Sequence, residues 1–177
     1  MPAPTEAQYL ASYLVRGDLP RMAIISDARS SLSPNPDDTA FAECRGLALG
    51  RVIWQGDDVA PVWQIMDLRF AFPDRASAVR YHRARLGRNA EGAMPVRGAP
   101  PVGEYCAVFG GIRDHPFAPG ETVTHYYYLF VVDCLLVKLF AAMSPMLPAG
   151  TLTPADLTPI ARTAQLRTAV ALADATR

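Results

Sequence analysis

Apolar positions recur at short, regular intervals along this chain, and the densest stretch, residues 125–142 (HYYYLFVVDCLLVKLFAA), sets the pattern for the rest. Tyr, Phe and Val favour strands, and Asp133-Cys134 interrupts the run at its middle. The stretch therefore predicts a β-hairpin with a two-residue turn at that point. In that register Val132 faces Leu135, Phe130 faces Val137, Tyr128 faces Leu139 and Tyr126 faces Ala141, which makes one wholly apolar face. The other face is mixed. It carries His125, Tyr127, Leu129, Val131, Leu136, Lys138, Phe140 and Ala142, and Lys138 is the single lysine of the chain.

The same patterning predicts the remaining elements. Thr5 and Gln8 have the spacing of a capping box, and Tyr9, Leu10, Tyr13 and Leu14 recur at helical spacing, so residues 5–16 read as a helix ended by Gly17. Residues 18–45 have one strong apolar cluster, Met22 to Ile25, followed by a polar Ser/Pro/Asp run. A short strand and a long loop are expected there, the loop being a candidate lid over a pocket. Residues 46–55 and 62–72 are strand-like and form a second hairpin. In its later strand Trp63, Ile65, Asp67, Arg69 and Ala71 alternate with Val62, Gln64, Met66, Leu68, Phe70 and Phe72. Asp74 caps a helix running to about residue 88, with Ala76, Val79, Tyr81 and Leu86 as its apolar stripe and arginines elsewhere. A short strand near 94–97 and a longer one at 102–112 follow, the latter with a Gly-Gly pair that permits a bulge or a close backbone approach. Thr153-Pro154 and Thr158-Pro159 place caps before prolines, so a short turn leads into a terminal helix over 159–175 whose inner face is Ile160, Ala164, Val170 and Leu172.

These elements make one α+β domain over residues 1–177, a mostly antiparallel sheet covered by the middle and terminal helices. At 177 residues and 50% hydrophobic, the chain has material for an ample core. Seventeen basic and seventeen acidic residues cancel, so no overall field draws nucleic acid or an anionic membrane. Sixteen of the seventeen basic residues are arginine, which reflects coding bias more than mechanism. The N-terminal stretch lacks the basic region and apolar core of a secretory signal, and no run of about 18 apolar residues occurs, which gives a cytoplasmic expectation. Cys44, Cys106 and Cys134 are odd in number and far apart, and read as buried free thiols.

The phrases DLP near residue 18, RFAFPDRASAVRYHRARL, VGEYCAVF, the hairpin, and LTPADLTPIARTAQLR together resemble the PsbP/Mog1-like α+β sandwich, nearest to its actinobacterial sensor-type and lipoprotein modules. The resemblance implies an antiparallel sheet with helices on its faces and a groove for a ligand or partner. It carries over no catalytic residues. Glu104-Tyr105-Cys106 stands where the lipoprotein branch often has an acidic-serine pair. SnoaL-like and other cone-shaped α+β folds, which house isomerases and cyclases, are the rival architecture.

The candidate chemistry sits on the mixed face. If the strands at 62–72 and 125–142 belong to one sheet, Asp67, Arg69, His125, Tyr127 and Lys138 project to one side, bordered by Trp63, Ile65 and Phe140. Apolar surroundings lower a lysine pKa and a nearby carboxylate raises it, giving either a base or an anion-orienting cation. The plainer alternative makes Asp67 and Arg69 a surface ion pair and sets Lys138 on an edge strand. The leading expectation is a pocket binding a small, apolar, oxygen-bearing molecule, with Tyr127, Asp67, Arg69, Trp63 and Phe140 as ligand contacts. A cofactor-independent cyclase, isomerase or lyase of bacterial specialised metabolism is the alternative, with Lys138 and His125 as acid/base and Tyr127 or Arg69 facing an oxyanion. A protein-interaction module is the third. No phosphate-loop motif or metal-ligand spacing occurs, His82, His115 and His125 being scattered, so neither cofactor nor metal is expected. A Cys134–His115 nucleophile pair requires folding to bring it together. A homodimer is compatible with all three readings.

Overall fold

The computed structural model describes residues 3–29, 38–57, 62–87, 93–114, 120, 122–144, 147–148 and 151–174. Its centre is the predicted hairpin. β6 (Thr122–Val132) and β7 (Leu135–Met143) pair antiparallel with Val132 opposite Leu135, Phe130 opposite Val137, Tyr128 opposite Leu139 and Tyr126 opposite Ala141. Asp133 has φ 51°, and Cys134 does not share that sign. A positive φ at the first turn residue alone is the signature of a type II′ connection, whose twist matches that of the flanking strands.

The second hairpin forms as expected from β2 (Ala48–Gln55) and β3 (Val62–Ala71). β1 (Ala23–Asp27), β4 (Met94–Pro95) and β5 (Glu104–Asp114) complete a seven-stranded antiparallel sheet in the order β1-β2-β3-β7-β6-β5-β4. β7 is therefore the middle strand. The Gly-Gly pair serves close approach, because a Cβ on Gly110 would lie 2.4 Å from the Tyr126 ring.

Among the described residues four helices follow the cap signals, with instructive differences. α1 (Glu6–Ala11) has the Thr5/Gln8 capping box but stops at Ser12 rather than near residue 16. Its exit is fixed by side chains: the Ser12 carbonyl accepts from Arg69 and the Leu14 N–H donates to Asp67, so neither group is left to continue the helix. α2 (Thr39–Glu43) is an unexpected short helix inside the segment read as a loop, started by Asp38 accepting from the Phe41 N–H. Residues 30–37, the middle of the candidate lid, lie outside the described residues. α3 (Arg75–Gly87) starts with Asp74 accepting from the Ser77 N–H at 2.7 Å. It buries Ala78, Val79, Tyr81 and His82, while Ala76 and Leu86 of the expected stripe are exposed. α4 (Pro154–Ala173) is one helix that runs through Pro159, not a turn followed by a helix. Thr153 and Asp156 form its capping box, and a proline one turn inside removes a single backbone donor. Its buried line is Leu157, Ala161, Ala164, Thr168 and Leu172, and Val170, two residues or about 200° beyond Thr168, turns outward.

The helices divide between the sheet's two faces. α1 and α4 cover a core of Tyr13, Trp54, Ile65, Tyr128, Phe130, Val137 and Leu139. α2 and α3 cover another containing Phe41, Phe70, Phe72, Tyr81, Leu129, Leu136 and Phe140. The expected α+β architecture, a single antiparallel sheet with helices on its faces, is the one observed.

Candidate functional site

β3 and β7 are neighbours, so the two mixed faces do belong to one sheet, but they do not meet. Asp67 lies opposite Leu139, Arg69 opposite Val137, and Leu68 opposite Lys138. Residues opposed across an antiparallel pair point to the same face. Asp67 and Arg69 thus share the α1/α4 side with the wholly apolar face of the hairpin, while Lys138, Tyr127, His125 and Phe140 occupy the α2/α3 side. The expected five-residue constellation is corrected to two groups on opposite faces. A register change of one residue moves every side chain of a strand to the other face, and neither hairpin alone fixes its register against the other.

The Asp67–Arg69 group is sealed. Both side chains are 0% exposed, so the pair is buried and not the surface ion pair of the plainer expectation. Arg69 Nη1 lies 2.8 Å from Asp67 Oδ1, and Nη2 donates to Oδ2 at 3.2 Å and to the Ser12 carbonyl at 3.0 Å. Leu14 N–H donates to Asp67 Oδ2 at 2.9 Å. The guanidinium carbon sits 5.4 Å from the Tyr13 ring centroid. Tyr9 donates to the Arg69 carbonyl at 3.1 Å, leaving Tyr13 to donate to Tyr9 across 2.7 Å. Burial pushes the Asp67 carboxyl up, against the opposing pull of Arg69 and the Leu14 N–H. Burial likewise raises Tyr9 to about 12 and raises Tyr13 further. This network fastens α1 to the sheet. Its tyrosines were visible in the sequence only as helix spacing.

The Lys138 group is built differently. Lys138 lies on the middle strand, not on an edge, and is 7% exposed. Its Nζ lies 4.7 Å from the Tyr127 ring centroid. Tyr127 stacks on Phe109 with centroids 4.9 Å apart, and His125 stacks on Phe140 at 5.2 Å. Trp63 joins this side although Ile65 and Asp67 face away, because the β3–β7 register shifts between Val62 and Gln64. The result is a row of aromatic rings carrying one ammonium. Phe109 was not anticipated; its pairing with Tyr127 depends on the β5–β6 register. His125 and Lys138 are four residues apart along the paired strands, roughly 13 Å between backbone positions, with the Tyr127–Phe140 pair between them.

Other reactive groups give no second centre among the described residues. Cys134 is buried with its thiol pushed up to about 11, and burial also raises the half-buried Cys106, so neither is poised as a thiolate. His115, which only folding could bring to Cys134, lies outside the described residues. Four open surface clefts are lined by described residues, and Lys138 lines none of these four.

Comparison with known proteins adds fold information. No protein-family model and no curated protein matches the chain. Among solved structures, the extracellular domain of PknH from Mycobacterium tuberculosis is similar in fold, with a TM-score of 0.51 and 11% sequence identity over 98% of each chain. At that identity the likeness concerns the arrangement of the backbone across the whole domain, and not the residues of either face.

Proposed function

We propose that this chain is a small-molecule-binding module whose ligand seats on the α2/α3 side of the sheet, between Lys138 and the rings of Tyr127, Phe140, Trp63 and His125. The observation that carries the reading is the placement of the chain's single lysine on the middle strand, nearly buried and 4.7 Å from the Tyr127 ring centroid. An ammonium in an aromatic, water-poor setting attracts a carboxylate or carbonyl oxygen strongly, while the ring faces accept an apolar body. The ligand class is therefore an apolar or aromatic molecule bearing an acidic or carbonyl oxygen. Asp67 and Arg69 have no part in it. The Tyr127–Phe140 pair standing between His125 and Lys138 in the register favours binding over a paired acid/base mechanism. As part of the same proposal we assign the chain to the PsbP/Mog1-like architecture and set it in the cytoplasm. The similar PknH domain is extracellular, so fractionation of expressing cells is the check on location, and a surface-exposed or secreted pool overturns the cytoplasmic setting.

Native mass spectrometry of the purified chain, followed by calorimetric titration with a panel of aromatic and alkyl carboxylic acids, tests the reading. Lys138→Met is expected to lower affinity by about 10- to 100-fold, the range of a charge-assisted hydrogen bond. Equal affinity of wild type and a folded Lys138→Met variant overturns the site. Loss of turnover with affinity retained would establish the enzyme instead.

A further inference from the structure

α4 packs Leu157, Ala161, Ala164, Thr168 and Leu172 inward, yet its outer side is not uniformly polar. Leu166 is 64% exposed and Val170 59%. Four residues apart, they stand one above the other on the helix surface. The same row continues to Arg162 at one end and to Asp174, the helical C-cap, at the other; both are exposed. It reads Arg–Leu–Val–Asp. One flank is a row of exposed small residues, Ala169 and Ala173, and the other is an open groove of about 380 Å³ lined by Ala11, Thr163 and Ala171 together with the Asp18–Arg167 ion pair.

This row is self-complementary on reversal. About its midpoint, level with Thr168, reversal places Arg162 on Asp174 and Leu166 on Val170. We propose that the outer face of α4 pairs with α4 of a second copy of the chain, the helices antiparallel across a two-fold axis at Thr168. Each Arg162 then faces an Asp174, and the Leu166–Val170 ridge of each copy enters the groove beside the other's. Interdigitation of i, i+4 ridges is the commonest helix-packing class, and the small side chains at Ala169 and Ala173 permit close approach. A parallel arrangement sets arginine against arginine and aspartate against aspartate, so the charges choose the orientation as well as the partner. The apolar ridge is short, which makes the dimer weak and reversible.

Sedimentation velocity across a concentration series up to about 1 mM reads the association, weak specific contacts lying within that range. Wild type is expected to dimerise, and added salt to weaken it by screening the end pairs. Arg162→Asp alone and Asp174→Arg alone each place like charges opposite twice per dimer and are expected to raise Kd about tenfold. An equimolar mixture of these two variants restores opposite charges at both ends and is expected to form heterodimers more tightly than either self-associates. Leu166→Gln removes the ridge without touching charge and is expected to dissociate the dimer, with circular dichroism confirming that each variant is folded. A wild type monomeric throughout the series, charge variants that associate as wild type does, or a mixture no tighter than its components would each overturn the proposal.

Discussion

Replacing Arg69 with methionine removes the cation of the sealed pair while keeping most of the side chain's length. The guanidinium is 0% exposed, 2.8 Å from Asp67 Oδ1, and donates to Asp67 Oδ2 and to the Ser12 carbonyl. In the variant Asp67 keeps the hydrogen bond from the Leu14 N–H, and a buried carboxylate loses its counter-charge. Breaking a buried pair from one side costs about 3–5 kcal/mol, against a total stability on the order of 5–15 kcal/mol. At roughly 2–4 °C per kcal/mol for a domain of this size, Tm should fall by about 6–20 °C. Asp67→Leu should cost a similar amount by stranding the guanidinium. The double variant Asp67→Leu/Arg69→Met removes both charges, leaving the Leu14 N–H without its acceptor and the Ser12 carbonyl with the 3.5 Å contact from the Thr168 hydroxyl, so its loss should be far below the sum of the two. Urea unfolding followed by circular dichroism supplies the three free energies. A loss below about 1 kcal/mol for Arg69→Met, or strict additivity in the double variant, would refute the account of the pair. The same proteins test the division between faces: the folded double variant should keep its affinity for a ligand bound at Lys138. A loss matching that of Lys138→Met would return Asp67 and Arg69 to one shared site.

Three further outcomes follow from local geometry. Because the folded Tyr9 phenol is raised to about 12 and Tyr13 is raised further, their stabilising contribution is complete below the unfolded value near 10 and is lost as pH rises from 10 toward 12 and beyond, by about 1.4 kcal/mol per phenol per pH unit. Urea midpoints should fall over that window, and tyrosinate absorbance showing all seven tyrosines ionising near pH 10 in the folded protein would contradict it. Asp133→Gly supplies the residue preferred at the first position of a type II′ turn and should stabilise the hairpin by about 0.5–1 kcal/mol in chemical denaturation, with Asp133→Val moving the midpoint the other way. Gly50→Ala places a Cβ 2.6 Å from the Tyr13 hydroxyl and 2.7 Å from that of Tyr9, and should cost about 1–3 kcal/mol; an unchanged midpoint would show that α1 yields freely at this contact.

What the sequence revealed and what it concealed follow one boundary. Contacts set by neighbouring residues were legible: the Thr5/Gln8 box, the Asp74 cap, and the pairing of β6 with β7 around Asp133-Cys134, where a two-residue turn leaves one register. Relations between hairpins were not. Nothing local in Val62 to Phe72 states whether Asp67 will stand opposite Lys138 or one residue away, and that single step separated the expected site into two. The bulge that returned Trp63 to the Lys138 side is equally invisible, since it is an irregularity of the pairing and not of composition. α4 misled for a related reason. Two consecutive cap-plus-proline signals, at Thr153 and Thr158, compete for one helix start, and the two bonds that the Thr153 N–H and hydroxyl donate to Asp156 Oδ2 select the first. Short α2 lies below the length at which periodicity speaks, and only Asp38 marked it.

The chain's two tryptophans fall on opposite sides of the sheet, Trp54 beneath α1 and α4 and Trp63 beneath α2 and α3. Each indole is thus a built-in reporter of one layer. In Trp54→Phe the emission follows the aromatic row of β3 and β7, and in Trp63→Phe it follows the layer fastened by Arg69. If one blanket of helices peels from the sheet before the other, the two fluorescence transitions will part on the denaturant axis, and a static arrangement of layers becomes a measured order of melting.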